Sequence, residues 1–164
     1  MHKLALSALV VLALPAMWEE AVITGNVESK CQINTDINGV FGNPTAGTLS
    51  TLPADGGVMP IIRYDVALGE AYTARVIAPN SFSTSPTLDD IVTWTADVEV
   101  SEVSDTAMSD YETDKIQYEY TSEFDLHTAG STWFKVTSKA EYGYGRSFPG
   151  GQYRAIVMAE CIAN

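Results

Sequence analysis

The chain has 164 residues, of which 46% are apolar and 18% charged, with 21 acidic against 9 basic side chains and a formal net charge of −12. That apolar content excludes wholesale disorder, and a chain of this length forms one domain with a real core. The acidity speaks against nucleic acid and against anionic membrane surfaces, both of which require basic patches. Two histidines leave little material for catalytic or metal chemistry.

Residues 1–17 read MHKLALSALVVLALPAM. Lys3 supplies a basic start, Leu4 to Leu14 an apolar run, and Pro15-Ala16 a break, the layout of a secretory signal peptide cleaved after Ala16. The run is too short to span a membrane, so no insertion is expected once the leader is removed. The domain division that follows is a signal peptide over 1–16, an N-terminal strand over 17–33 and a β-sandwich over 34–164.

The mature segment alternates. Ile23, Gly25, Val27, Ser29, Cys31 and Ile33 share one face and Thr24, Asn26, Glu28, Lys30 and Gln32 the other, which predicts a half-buried strand. Glycines and prolines over 34–57 predict a loop or short irregular strands. Val58–Leu68 and Ala71–Ala78 flank Gly69-Glu70 and read as a hairpin. Residues 79–90 form a Ser/Thr/Pro loop. Ile91–Val103 alternates again, Lys115–Phe124 and Thr132–Lys139 read as further strands, and a helical stretch is open around Thr106–Asp114. Gln152–Ala163 is apolar on both faces, as a central strand would be. Strands punctuated by turns, with no amphipathic helix after the leader, predict an all-β sandwich.

Cys31 and Cys161 are the only thiols, 130 positions apart. In an exported chain an even count points to a disulfide, with two separate buried thiols or a bridge to another chain as the alternatives. Neither has the nearby Cys or His of a zinc site. No G-x-S-x-G, H-E-x-x-H or P-loop occurs, and after the leader His127 is the one histidine, so no enzyme activity is expected. Between Arg75 and Lys115 there is no basic residue. Within that stretch Asp110-x-Glu112-x-Asp114 can line three carboxylates along one side of a loop, as a Ca²⁺ site requires; the alternative is a solvated acidic face. The EF-hand glycine and terminal glutamate are missing. Tyr142, Tyr144 and Phe148 lie in a glycine-rich loop and either pack over the end of the sandwich or contact a neighbour or a sugar.

The two ends of the chain resemble chaperone–usher pilins and the related spore-coat-U-like proteins. At the start, EEAVITGNVESKCQI carries Gly25, Val27 and Cys31 as in the first strand of those families. At the end, FPGGQYRAIVMAECIAN has Gly151 ahead of a tyrosine-bearing alternating strand. Ala163 replaces the penultimate aromatic of many such pilins, and the second cysteine falls in the last strand, where theirs joins the first two strands. The resemblance implies an immunoglobulin-like sandwich that is incomplete and is completed by a donor strand from the next subunit, giving a homo-polymer at the cell surface, with a periplasmic chaperone and an outer-membrane usher as assembly partners. Mapped here, the donor is Trp18–Val27, with Val22 or Ile23, Gly25 and Val27 inserting. The acceptor groove takes Tyr153, Ala155, Val157 and Ala159. The alternatives are a complete sandwich in which these residues are core, and a monomeric secreted adhesin or carbohydrate-binding module.

Overall fold

The computed structural model describes residues 30–67 and 71–164. The leader, the donor residues Val22, Ile23, Gly25 and Val27, and the Gly69-Glu70 turn lie outside the described residues. Among the described residues ten strands form two antiparallel sheets packed face to face, so the expected all-β sandwich is the fold.

In the first sheet, β1 (Cys31–Ile37) pairs with β4 (Ile61–Val66), and β4 with β9 (Gly130–Tyr142). β9 is long enough to hold two partners on one side. Its first half pairs with β4 and its last residues with β3 (Thr48–Ser50), which pairs in turn with β2 (Gly42–Thr45). β6 (Val92–Val103) covers the other side of β9 from end to end. The second sheet runs β10 (Met158–Ala163), β5 (Tyr72–Ile77), β8 (Thr121–Leu126) and β7 (Ile116–Tyr118).

Alternation put the right faces inward. In β4 and β5 every second residue is buried, and the same period runs through β9. The core joins Tyr64, Phe134 and Val136 from the first sheet to Val76, Phe124 and Leu126 from the second. The Tyr64 and Phe134 rings meet edge to face with centroids 5.4 Å apart, a geometry that adds to plain burial. A second cluster at one end centres on Trp94, Leu49 and Ala140, with Phe41, Phe82, Phe148 and Tyr153 packed against it.

Four expectations are corrected. Val58–Leu68 and Ala71–Ala78 do not form a hairpin: β4 and β5 lie in different sheets, and the chain crosses between them. Lys115–Phe124 is not one strand. Glu119 takes a left-handed conformation (φ 53°) and folds the segment into the β7–β8 hairpin. The last strand is an edge and not central among the described residues, where β10 pairs with β5 alone. Residues 34–37 continue β1, whereas Thr106–Met108 forms only a single 3-10 turn capped by the Asp105 side chain.

Two links tie the sheets on the β1/β10 side. Cys31 and Cys161 are disulfide-bonded, with Cα atoms 6.4 Å apart. Chain-entropy arguments put a bridge closing so long a loop at about 4–5 kcal/mol. The Tyr64 hydroxyl, fully buried, shares its proton between the carbonyls of Arg75 (3.0 Å) and Glu160 (3.1 Å), which face each other in the β5–β10 ladder. Burial drives its pKa far above the ordinary tyrosine value. Tyr64→Phe keeps the ring packing and removes this link. It is expected to lower stability by about 1–2 kcal/mol, read as a lower midpoint in denaturant unfolding at unchanged slope.

Candidate functional site

β1 and β10 are both outer strands, and they lie on the same side of the sandwich. Moving away from the disulfide, the chain before β10 ceases to pair with β5. Residues 155–157 have no ladder partner, and the next tie is the Thr84–Arg154 bridge, where Arg154 N–H donates to Thr84 O at 2.8 Å. The two sheets part here, and a groove of about 630 Å³ opens between them. Thr35, Gly39, Val40 and Phe41 form one lip. Tyr153, Ala155 and Val157 line the other, with Leu49, Ile62 and Ser138 between.

The lips are apolar and wet. Val40 (55%) is exposed on one lip, with Val58 bridged to it, and Ile156 (51%) on the other, with exposed Met158 two residues further on at the start of β10. Exposed apolar residues gathered around a concavity mark an interaction surface far better than scattered ones do. Inside, Ser138 is buried, and Thr51 holds its backbone N–H (2.8 Å) and carbonyl (2.9 Å). Among the described residues the Ser138 hydroxyl has no hydrogen-bond partner. Leaving such a group unmade costs about 1–3 kcal/mol.

Each end of the groove is fixed. At one end Tyr153 packs on Phe82 and Phe148, with ring centroids 5.1 and 5.2 Å away, and its hydroxyl donates to Pro149 O at 2.7 Å. Gly151 enters this end with φ 157°, and a Cβ there would lie 2.5 Å from Pro86 Cγ, so glycine is required by close approach. At the other end stands the disulfide. On the outer face of β10, Arg75 bonds Glu160 (3.0 Å) and Glu123 (2.7 Å), linking β10, β5 and β8.

Three of the four acceptor residues read from the sequence, Tyr153, Ala155 and Val157, therefore line one cavity. Ala159 sits further along β10, packed against the main core. The lip from Thr35 to Phe41 and the Ser138 floor had no sequence signal beyond a glycine-rich stretch and one more strand residue.

The carboxylates Asp110, Glu112 and Asp114 do not gather into a metal centre. One Asp110 oxygen faces His127 Nε2 at 3.3 Å, and the other is buried without a partner. Glu112 turns the opposite way, to the β6 backbone and Lys115, and Asp114 points to solvent. Among the described residues no group of three Asp, Glu, His or Cys side chains could hold a metal ion. His127 stacks edge-on against Tyr111, 5.1 Å between centroids, in a strand-end turn. Tyr142 is anchored through its hydroxyl to Asp89, which together with Arg146 holds the Asp89 carboxyl below the usual range.

No protein-family model, no curated protein and no solved structure matches the chain.

The Arg75 guanidinium, and then the Tyr118 hydroxyl, hold the Glu123 carboxyl below its ordinary value. A depressed carboxyl contributes stability above its unfolded pKa and loses it as pH falls through the folded value. Acidification from about pH 5 downward is thus expected to weaken the Glu160–Arg75–Glu123 link. Glu123→Gln should show a smaller drop in thermal midpoint between neutral and acid pH than the parent, measured by circular dichroism.

Proposed function

We propose that the protein is a secreted, pilin-like structural subunit of a surface filament, in which Trp18–Val27 of one copy completes the groove of the next. One observation carries this reading: among the described residues β1 and β10 end their sheets side by side, and between them lies a largely apolar groove holding a buried hydroxyl that no described residue pairs. Such a groove is short of one extended segment. An inserted strand would bring backbone groups for the open edges of β1 and the 152–158 segment, alternate apolar side chains for the groove, and a polar partner for Ser138. Affinity would come from backbone pairing and apolar burial, and register from which side chains fit. The disulfide accords with an oxidising compartment. A periplasmic chaperone and an outer-membrane usher belong to this proposal, since an unfilled groove of this kind invites aggregation.

A second reading has its own observation. Tyr144 is fully exposed beside Ile91 at a shallow hollow lined by Asp90, Glu141 and Arg146. An exposed aromatic ring among polar groups suits a sugar, so the alternative is a monomeric adhesin or carbohydrate-binding module.

The two separate on assembly. Mixed isotopically light and heavy full chains, cross-linked and mapped by mass spectrometry, are expected to join residues 18–29 of one copy to residues 151–157 of another, with filaments visible by electron microscopy. Ala155→Phe fills the groove and should abolish both while the melting temperature holds. A monodisperse monomer at every concentration, cross-linked only within one copy, would sink the filament reading.

A further inference from the structure

The opposite side of the sandwich carries a different device. β6 ends the first sheet there and is 12 residues long. An outer strand of that length offers a row of backbone groups to any other extended chain. In β6 four of those groups, the Trp94 and Val98 carbonyls and the Val98 and Val100 amides, are taken by side chains. The Tyr120 hydroxyl donates to Trp94 O at 3.1 Å. Val98 N–H donates to Asp97 Oδ1 at 2.8 Å. Lys115 Nζ donates to Val98 O at 2.9 Å, and Val100 N–H donates to Glu112 Oε2 at 2.6 Å.

The last two bonds have a particular form. In a parallel pairing, one residue of the incoming strand donates to the carbonyl of residue i and accepts from the N–H of residue i+2. Lys115 and Glu112 perform those two tasks on Val98 and Val100, and their own contact of 3.0 Å holds them together. Asp97 ties Lys115 from the other side at 3.2 Å. The β6–β9 register also slips between Val100 and Glu102, a bulge that twists the edge further from pairing.

We propose that Asp97, Glu112, Lys115 and Tyr120 form an edge lock, which occupies the strand-addition positions of β6 against an extended segment of a second copy of this chain. The acidic 110–115 loop is then a strand substitute. That addition is thereby confined to the β1/β10 side rests on the filament reading; the lock on β6 does not.

The test is hydrogen exchange at the Val98 and Val100 amides of the full chain at low and high protein concentration. In Glu112→Ala/Lys115→Ala, dilute protein should exchange at Val100 about tenfold faster than the parent, as the loss of one hydrogen bond implies. Protection should return as concentration rises, together with cross-links from β6 to a second copy. Glu112→Gln keeps an acceptor oxygen and should behave as the parent does. If the double variant fails to fold, Tyr120→Phe frees the Trp94 carbonyl without a charge change and is read the same way, by cross-links from β6. Faster exchange that does not reverse with concentration, or no β6 cross-links in a folded variant, overturns the lock. Cross-links from residues 18–29 to 151–157 report the groove separately, so either idea can fail alone.

Discussion

A hydroxyl buried between two sheets must find acceptors there, and Tyr64 finds them in the carbonyls of Arg75 and Glu160. This contact sets how the sheets meet. It fixes β4 of one sheet over the β5–β10 pair of the other, at the residue next to Cys161. The disulfide then ties β1 to β10 at the same level. Beyond these two links the chain before β10 leaves its ladder. The groove is the consequence: two sheets joined firmly at one end of a shared side and free to diverge at the other. The aromatic cluster around Phe82 and Tyr153 holds the far end, so the opening has two fixed limits.

The two sides of the sandwich solve the edge problem in opposite ways. On the β6 side, four backbone groups are matched by side chains from the 97–120 region. The β7 edge next in the second sheet is only 3 residues long, a length that offers little to pair with. On the β1/β10 side the rim is largely apolar, and a buried hydroxyl goes unpaired among the described residues. Proteins that merely avoid aggregation blunt every edge. Guarding one side with four side chains while leaving apolar lips on the other is an asymmetry, and it favours a molecule that uses its open side.

Alternation in the sequence revealed which face of each strand is buried, because period two follows from the pleat alone. It did not reveal partners. β4 and β5 looked like a hairpin because a Gly-Glu pair separates two matched runs, yet each run is satisfied by any sheet that covers one face. β10 looked central because Ile156, Val157 and Met158 are apolar in succession; they are apolar at a rim. The turn at Glu119 carries no glycine or asparagine, so the β7–β8 break had no signal. The cysteines were legible through compartment chemistry. The acceptor residues Tyr153, Ala155 and Val157 were legible because they alternate, whereas Ser138 and the lip from Thr35 to Phe41 reach the groove by tertiary packing, which no local pattern encodes.

The net charge of −12 also acquires a place. Read along the chain, the acids between Arg75 and Lys115 suggested a solvated face or a cation loop. In the fold several of them serve the backbone: Asp97 and Glu112 take β6 amides, and Asp105 caps a 3-10 turn. Lys115, which ends the acidic stretch, is set between Asp97 and Glu112, where it donates to the Val98 carbonyl of β6. An acidic surface repels its own copies at long range, and salt screens that repulsion. The groove, in contrast, is lined by neutral and apolar groups apart from Arg154, so whatever fills it gains chiefly from apolar burial and backbone hydrogen bonds, contributions that screening leaves intact. Charge therefore keeps copies apart at long range, while whatever fills the groove is held at short range by backbone groups and apolar side chains.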